Sequence, residues 1–248
     1  MNGLKKMDLC WALFSIFRCR ARTSITMLGI LMLAVSVPAA ALDCDRPSDY
    51  QGFVEANYPM EIAFDVFRND KLVGEHVTRF RTQGSELSVE SRMALTIKLL
   101  FITAYEFEYQ SSAVWCGDGL KALDVTTDRN GEVSRVTALA DSGNLIVSST
   151  DGQFAAPVEI MTTDHWNPSV LNRQQVLNTI TGRINAVSIR QCEQGTQRIE
   201  RAAPEAVCYQ YSGELTTRVW YDPVGRWRGL EFTGDDGSTI TYVCRRCT

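Results

Sequence analysis

Histidine is scarce in this chain: of 248 residues, only His76 and His165 can titrate near neutral pH. No run of like charge exceeds three residues, which excludes an acidic or basic tail. No G-x-G-x-x-G appears, so neither a dinucleotide fingerprint nor a phosphate-cradling glycine loop is present. No G-x-S-x-G appears either, which removes the usual nucleophile elbow of a serine hydrolase. The apolar run Ile25–Val37 falls short of the about 20 residues that span a bilayer.

That short run has the length of a secretory h-region. Arg18, Arg20 and Arg22 flank it on one side, and Pro38 with Ala39-Ala40-Ala41 supplies small residues on the other. The expectation is a signal peptide over 1–41, cleaved near Ala41, and a periplasmic mature chain with no membrane span. Two variants stand beside it: an uncleaved anchor with Leu9–Phe17 on the membrane surface, and a start at Met7. Asp43 before Cys44 does not fit a lipoprotein box. The segment carries five of the 25 basic residues and one of the 29 acidic ones, so the remainder has 20 against 28, a net charge of −8. An acidic chain without basic clusters is not built for nucleic acid.

Six cysteines remain: Cys44, Cys116, Cys192, Cys208, Cys244 and Cys247. An even number in an exported chain argues for disulfides. Cys192 ends one predicted strand and Cys208 begins the next, so this pair is expected to bridge. It would close a loop of about 15 residues and add roughly 3 kcal/mol in the chain-entropy picture. Cys244-Arg245-Arg246-Cys247 is a C-x-x-C, but a strand precedes it and no helix follows to activate a thiolate. A structural pair is the reading there. Cys116, His76 and His165 are scattered singly, and no metal or cofactor is expected.

Alternation with period two dominates from Met60 onward. Leu87, Val89, Ser91, Met93, Leu95, Ile97 and Leu99 form one face of a long strand. Tyr105, Phe107, Tyr109, Ser111, Ala113 and Trp115 form one face of a second. Turn signals recur every 8–14 residues, the strongest being Asn130-Gly131, where both residues tolerate positive φ. The pattern predicts an all-β antiparallel meander of ten or eleven strands, bent into a barrel or half-barrel. One short helix is predicted around 168–178, with Pro168 at its first position. The domain plan is a signal peptide, a lead segment over 42–58, and one β-rich domain over 59–248.

Phe64-Asp65-Val66, Gly74-Glu75-His76, Lys98-Leu99-Leu100-Phe101, Trp115, His165-Trp166-Asn167-Pro168, Asn178-Thr179-Ile180-Thr181-Gly182 and Trp220-Tyr221-Asp222 stand in that order. As a set they resemble an exported proteobacterial family, domain of unknown function 6134, over roughly Pro59–Val243. The resemblance implies a periplasmic β-rich domain. It brings no established activity, so no catalytic residue is carried over. The cysteines are not part of the pattern.

Two sets of residues are candidates for function. His76, Asp164 and His165 would make a proton relay or a two-histidine metal centre if the fold joins them. The bland reading is a hydrogen-bonded core histidine and a loop histidine. Met93, Leu95, Ile97, Tyr105, Phe107, Tyr109 and Trp115 would line an apolar cavity, with Trp166 and Asn167 as its lid. The bland reading is core packing. Glu106 and Glu108 read as a solvated face rather than a glycosidase pair. The leading expectation is a non-catalytic exported β-domain that binds an apolar or amphipathic small molecule, a lipid, or an envelope protein. A small periplasmic enzyme and a structural or assembly factor are the alternatives.

If the signal is cleaved, the secreted protein begins at Leu42 and has no free thiol. Intact-mass measurement after alkylation under denaturing, non-reducing conditions checks both: the mass should start at Leu42 and carry no label.

Overall fold

The computed structural model describes residues 42–247, apart from 43, 46, 48, 100, 101 and 193–196. The expected signal peptide lies outside the described residues. The first meander comprises β1 (Glu61–Arg68), β2 (Lys71–Gln83), β3 (Glu86–Leu99), β4 (Ile102–Cys116), β5 (Gly119–Arg129), β6 (Glu132–Asp141), β7 (Asn144–Ser149) and β8 (Gly152–Pro157). The second comprises β9 (Met161–Thr162), β10 (Gln175–Leu177), β11 (Ile184–Gln191), β12 (Val207–Gly213), β13 (Thr217–Tyr221), β14 (Trp227–Thr233) and β15 (Thr239–Arg246). Each meander pairs with its neighbours in chain order, and β15 pairs antiparallel with β1 to fuse them into one sheet. Among the described residues, only the β9–β10 pair is parallel.

The sheet is not closed. Its two open edges, β8 and β9, are consecutive in the chain. Fifteen strands among the described residues exceed the ten or eleven expected, because several are too short to show alternation.

The alternation of β3 and β4 is the physical origin of the core. Leu87, Val89, Ser91 and Met93 are buried, and so are Phe107, Tyr109, Ser111, Ala113 and Trp115. Residues between them, such as Arg92, Glu106 and Glu108, are exposed. One slip in register would turn every one of these side chains over, so burial itself holds the pairing in place. At the β5–β6 turn, Asn130 and Gly131 both take positive φ, 55° and 87°, as a tight hairpin of the favoured hand requires.

Two helices and one short turn complete the fold of the described residues. Helix α1 (Asp49–Asn57) lies within the lead segment and buries Tyr50 and Val54. Helix α2 (Gln197–Ala202) stands in the Cys192–Cys208 loop and buries Ile199. The helix predicted around 168–178 is shorter than expected. It is a five-residue 3-10 turn, Pro168–Asn172, capped by the Asn167 side chain, which accepts from the Ser169 N–H at 2.9 Å. Arg173 is extended and ends it, and Val176 and Leu177 then enter β10. Pairing with β9 and β11 takes the backbone groups that a longer helix would have used internally.

The cysteines stand in three pairs: Cys44–Cys116, Cys192–Cys208 and Cys244–Cys247. The first ties the segment before α1 to the end of β4. The second brackets α2, and Cys192 N–H also donates to the Cys208 carbonyl. Among the described residues, no helix is long and apolar enough to cross a membrane.

Gly74 of β2 lies hard against the neighbouring strand. A Cβ there would fall 1.9 Å from the Ala94 carbonyl oxygen of β3. The obstacle is backbone, so it cannot rotate away. Gly74→Ala should therefore destabilise the domain by roughly 1–3 kcal/mol or more, whereas Gly52→Ala, with nothing within 4 Å, should not. Thermal or urea denaturation of both variants checks the contrast.

Candidate functional site

The strand faces leave one segment to fill the interior between β9 and the 3-10 turn: Asp164-His165-Trp166-Asn167, all buried. Its path is a tight reversal. His165 takes a φ of +58°, and Trp166 N–H donates to the Asp164 carbonyl at 2.8 Å, closing a three-residue turn. A non-glycine residue in this region costs of order 1–3 kcal/mol and persists only where its surroundings over-determine it.

Two tyrosines over-determine it. Tyr221 OH donates to the His165 carbonyl and Tyr58 OH to the Trp166 carbonyl, both at 2.9 Å. The Tyr58 oxygen also accepts from Trp227 N–H at 2.7 Å. Trp166 itself is sunk among Trp115, Phe80 and Tyr50, with ring centres 5.9, 5.9 and 6.5 Å away. It is thus a core residue, and the lid expected of Trp166 and Asn167 is instead a plug.

The reversal sends the side chains of Asp164 and His165 to different partners. Asp164 accepts from Tyr109 OH at 3.1 Å and Thr162 OH at 3.0 Å. Tyr109 OH also lies 2.9 Å from Thr179 Oγ1. Burial raises the Asp164 pKa, and these two hydroxyls oppose the rise. His165 packs against Tyr211 and Trp227, with ring centres at 5.6 and 5.9 Å. His76, from β2, reaches the same indole at 5.5 Å and also meets Tyr242 and Phe64. Burial pushes the His76 pKa down to about 4. It pushes His165 down to about 3, and the neighbouring His76 adds to that shift.

The structure therefore brings the two histidines to one tryptophan and gives the carboxylate to Tyr109. The expected His76–Asp164–His165 set is not assembled as a triad. Among the described residues, no group of three or more His, Cys, Asp or Glu is placed to hold a metal ion. Of the expected cavity residues, Met93, Phe107, Tyr109 and Trp115 are buried, while Leu95, Ile97 and Tyr105 are half-buried and pack against the same core. Two shallow surface hollows lie elsewhere. One is beside Gly74 and Arg245, the other beside Ile180 and Arg183.

Tyr58, Tyr211, Tyr221, Trp227 and Tyr242 belong to this interior and were not among the expected site residues. Tyr211, between Gln210 and Ser212, and Trp227, between Arg226 and Arg228, have polar neighbours, so a face assignment was available for them; Tyr221 follows Trp220 and Tyr242 precedes Val243, where no alternation shows. Tyr58 follows a helix and carries no such signal.

The family described as domain of unknown function (DUF6134) matches residues 64–245. No curated protein matches the chain. Among solved structures, the chain is similar to a β-barrel-like protein of domain of unknown function DUF1849 from Brucella abortus. The identity is 11%, the TM-score 0.51, and the match covers 77% of this chain and 98% of that one. At this identity the likeness shows the fold alone.

Removing the Tyr58 hydroxyl would leave two buried backbone groups without their partner. Tyr58→Phe should cost about 1–3 kcal/mol, more than Tyr105→Phe at the half-exposed end of β4. Chemical denaturation of the two variants measures the difference.

Proposed function

Since the chain belongs to the DUF6134 family, whose activity is unknown, we propose from its own surfaces that it is a non-catalytic binding module of the cell envelope. It is exported to the periplasm and takes an apolar or amphipathic small molecule, such as a lipid, on the end of the β3–β4 hairpin. The three disulfides among the described residues suit an oxidising compartment.

One observation supports this reading above the others. β3 and β4 are the two longest strands, and they outrun their neighbours. The ladder from β2 stops at Leu95 and the ladder from β5 stops at Phe107. Beyond these points the two strands form a ladder with each other, with Ile97 opposite Tyr105, while Glu106 still bonds to Asn130 at the β5–β6 turn. The apolar face that is buried at Met93 and Tyr109 runs on through Leu95, Ile97 and Tyr105, which are half-buried. An apolar row that leaves the core on a two-stranded extension presents a surface that water covers poorly. The enzyme reading has less support, because Asp164 is occupied by Tyr109 and Thr162.

Titration with the apolar fluorophore N-phenyl-1-naphthylamine tests the proposal. Saturable binding with a defined stoichiometry is expected. Ile97→Glu should weaken it roughly tenfold or more, the loss expected when a charge replaces a buried apolar contact worth more than about 1.4 kcal/mol. The melting temperature should stay close to wild type. No binding, or binding indifferent to Ile97→Glu, would leave the structural or assembly role in its place.

A further inference from the structure

The hollow beside Ile180 and Arg183 opens on the same sheet face as the apolar row of β3 and β4. On β5, Val125 and Thr127 are buried, and Arg129 continues their face to the exposed end of the strand. Arg129 is the register partner of Phe107 on β4, and its guanidinium carbon stands 6.0 Å from the centre of the Phe107 ring. Phe107 follows Tyr105 on the apolar face, so the row that leaves the core borders this hollow. On the far side the Asn178–Arg183 turn is seated on the sheet. A Cβ on Gly182 would fall 2.7 Å from Ser149 and 3.1 Å from Val136.

The hollow measures about 330 Å³, the lower end of the range for small-molecule sites, so it suits a polar head rather than a whole lipid. Its wall carries charge of both signs. Arg129 and Glu132 are direct partners across the Asn130-Gly131 turn, yet they make no ion pair. Arg129 reaches Asp235, a fully exposed residue, at 4.0 Å. Glu132 has no ion pair among the described residues. Arg183 donates through Nε to Asp151 at 2.5 Å, which leaves the other N–H groups of its fork. Arg135 also borders the hollow but pairs with Asp124. Thr127 and Ser134 stand opposite each other on the wall. Thr127 is only 4% exposed, and neither hydroxyl makes a hydrogen bond among the described residues. A hydroxyl so deep takes its partner from the hollow.

We propose that this hollow is the head-group site for an amphiphile whose chains lie on the β3–β4 row, and that it selects a zwitterion, a phosphodiester beside a primary ammonium. The assignment rests on the binding role proposed above and adds the chemistry of the ligand. Arg129 and Arg183 offer forked N–H donors to the phosphate oxygens, and the Thr127 and Ser134 hydroxyls offer one more each. Glu132, unpaired at the rim, takes the ammonium. A head with only negative charge would meet repulsion from Glu132. A phospholipid with an ethanolamine head satisfies both signs.

Calorimetric titration of the folded, disulfide-bonded protein with dihexanoyl phosphatidylethanolamine, kept below its micelle concentration, tests the site. One molecule should bind per chain, roughly tenfold tighter than dihexanoyl phosphatidylglycerol, which has the phosphate without the ammonium. Arg129→Gln should weaken the ethanolamine lipid roughly tenfold. Glu132→Gln should erase the preference between the two lipids. Both residues are exposed beside a hairpin turn, so the melting temperature should stay close to wild type. N-phenyl-1-naphthylamine, which has no such head, should bind both variants as it binds wild type. If the naphthylamine binds but the two lipids are indistinguishable, or if neither substitution alters their affinities, the head-group assignment falls and the apolar row stands. If none of the three compounds binds, both fall.

Discussion

The hydroxyl of Tyr58 joins three distant parts of the chain at a single atom. It donates to the carbonyl of Trp166 and accepts from the amide of Trp227. One oxygen atom thereby fixes the segment after α1, the interior plug and the start of β14. Each of these backbone groups is far from water, and each would be costly to leave unpaired. Tyr221 does the same for the His165 carbonyl. With the plug secured at two carbonyls, its side chains have no freedom to choose. Trp166 must enter the aromatic core, Asp164 must meet Tyr109, and His165 must face Trp227.

That arrangement explains how a protein with two histidines keeps both away from solvent. A buried imidazole stays neutral because the interior disfavours its charged form. The surrounding rings of Phe64, Tyr211, Trp227 and Tyr242 offer contact area but few acceptors. The interior is thus polar in its atoms and uncharged at its histidines. Exposed ion pairs such as Arg79 with Glu61 and Arg81 with Glu90 decorate the outer faces of β1–β3. Such exposed pairs are worth little individually.

Much of the sheet was legible in the sequence because its cause is local. Alternation from Leu87 to Ile97 placed those side chains on one face, and Asn130-Gly131 marked a tight turn that both residues make with positive φ. His76 is buried, as the bland reading of a core histidine has it. The site was less legible because its causes are distant. Adjacent Asp164 and His165 read as partners in one cluster, but a positive φ between them sends them apart. The partners that claim them, Tyr109 and Trp227, lie far along the chain. The 168–178 segment misled for a similar reason. Val170, Leu171, Val176 and Leu177 fit a helical spacing, but β9 and β11 offered Val176 and Leu177 a ladder. Short strands such as β9 have too few residues for any period to show.

The pairing of β1 with β15 sets a condition on how the chain reaches its fold. It joins residues 63–68 to residues 240–246, nearly the whole length of the domain apart. A chain made from its N-terminus completes all eight strands of the first meander while one long flank of β1 has no partner. That flank is a row of open backbone donors and acceptors, the kind of edge that recruits other chains. Contacts so remote in sequence form slowly, since the entropy of the large loop is lost before any rung rewards it. The last of the described strands to be synthesised is therefore the one that shields the first of them. A chain cut short before β15 keeps most of its sheet and presents an adhesive edge.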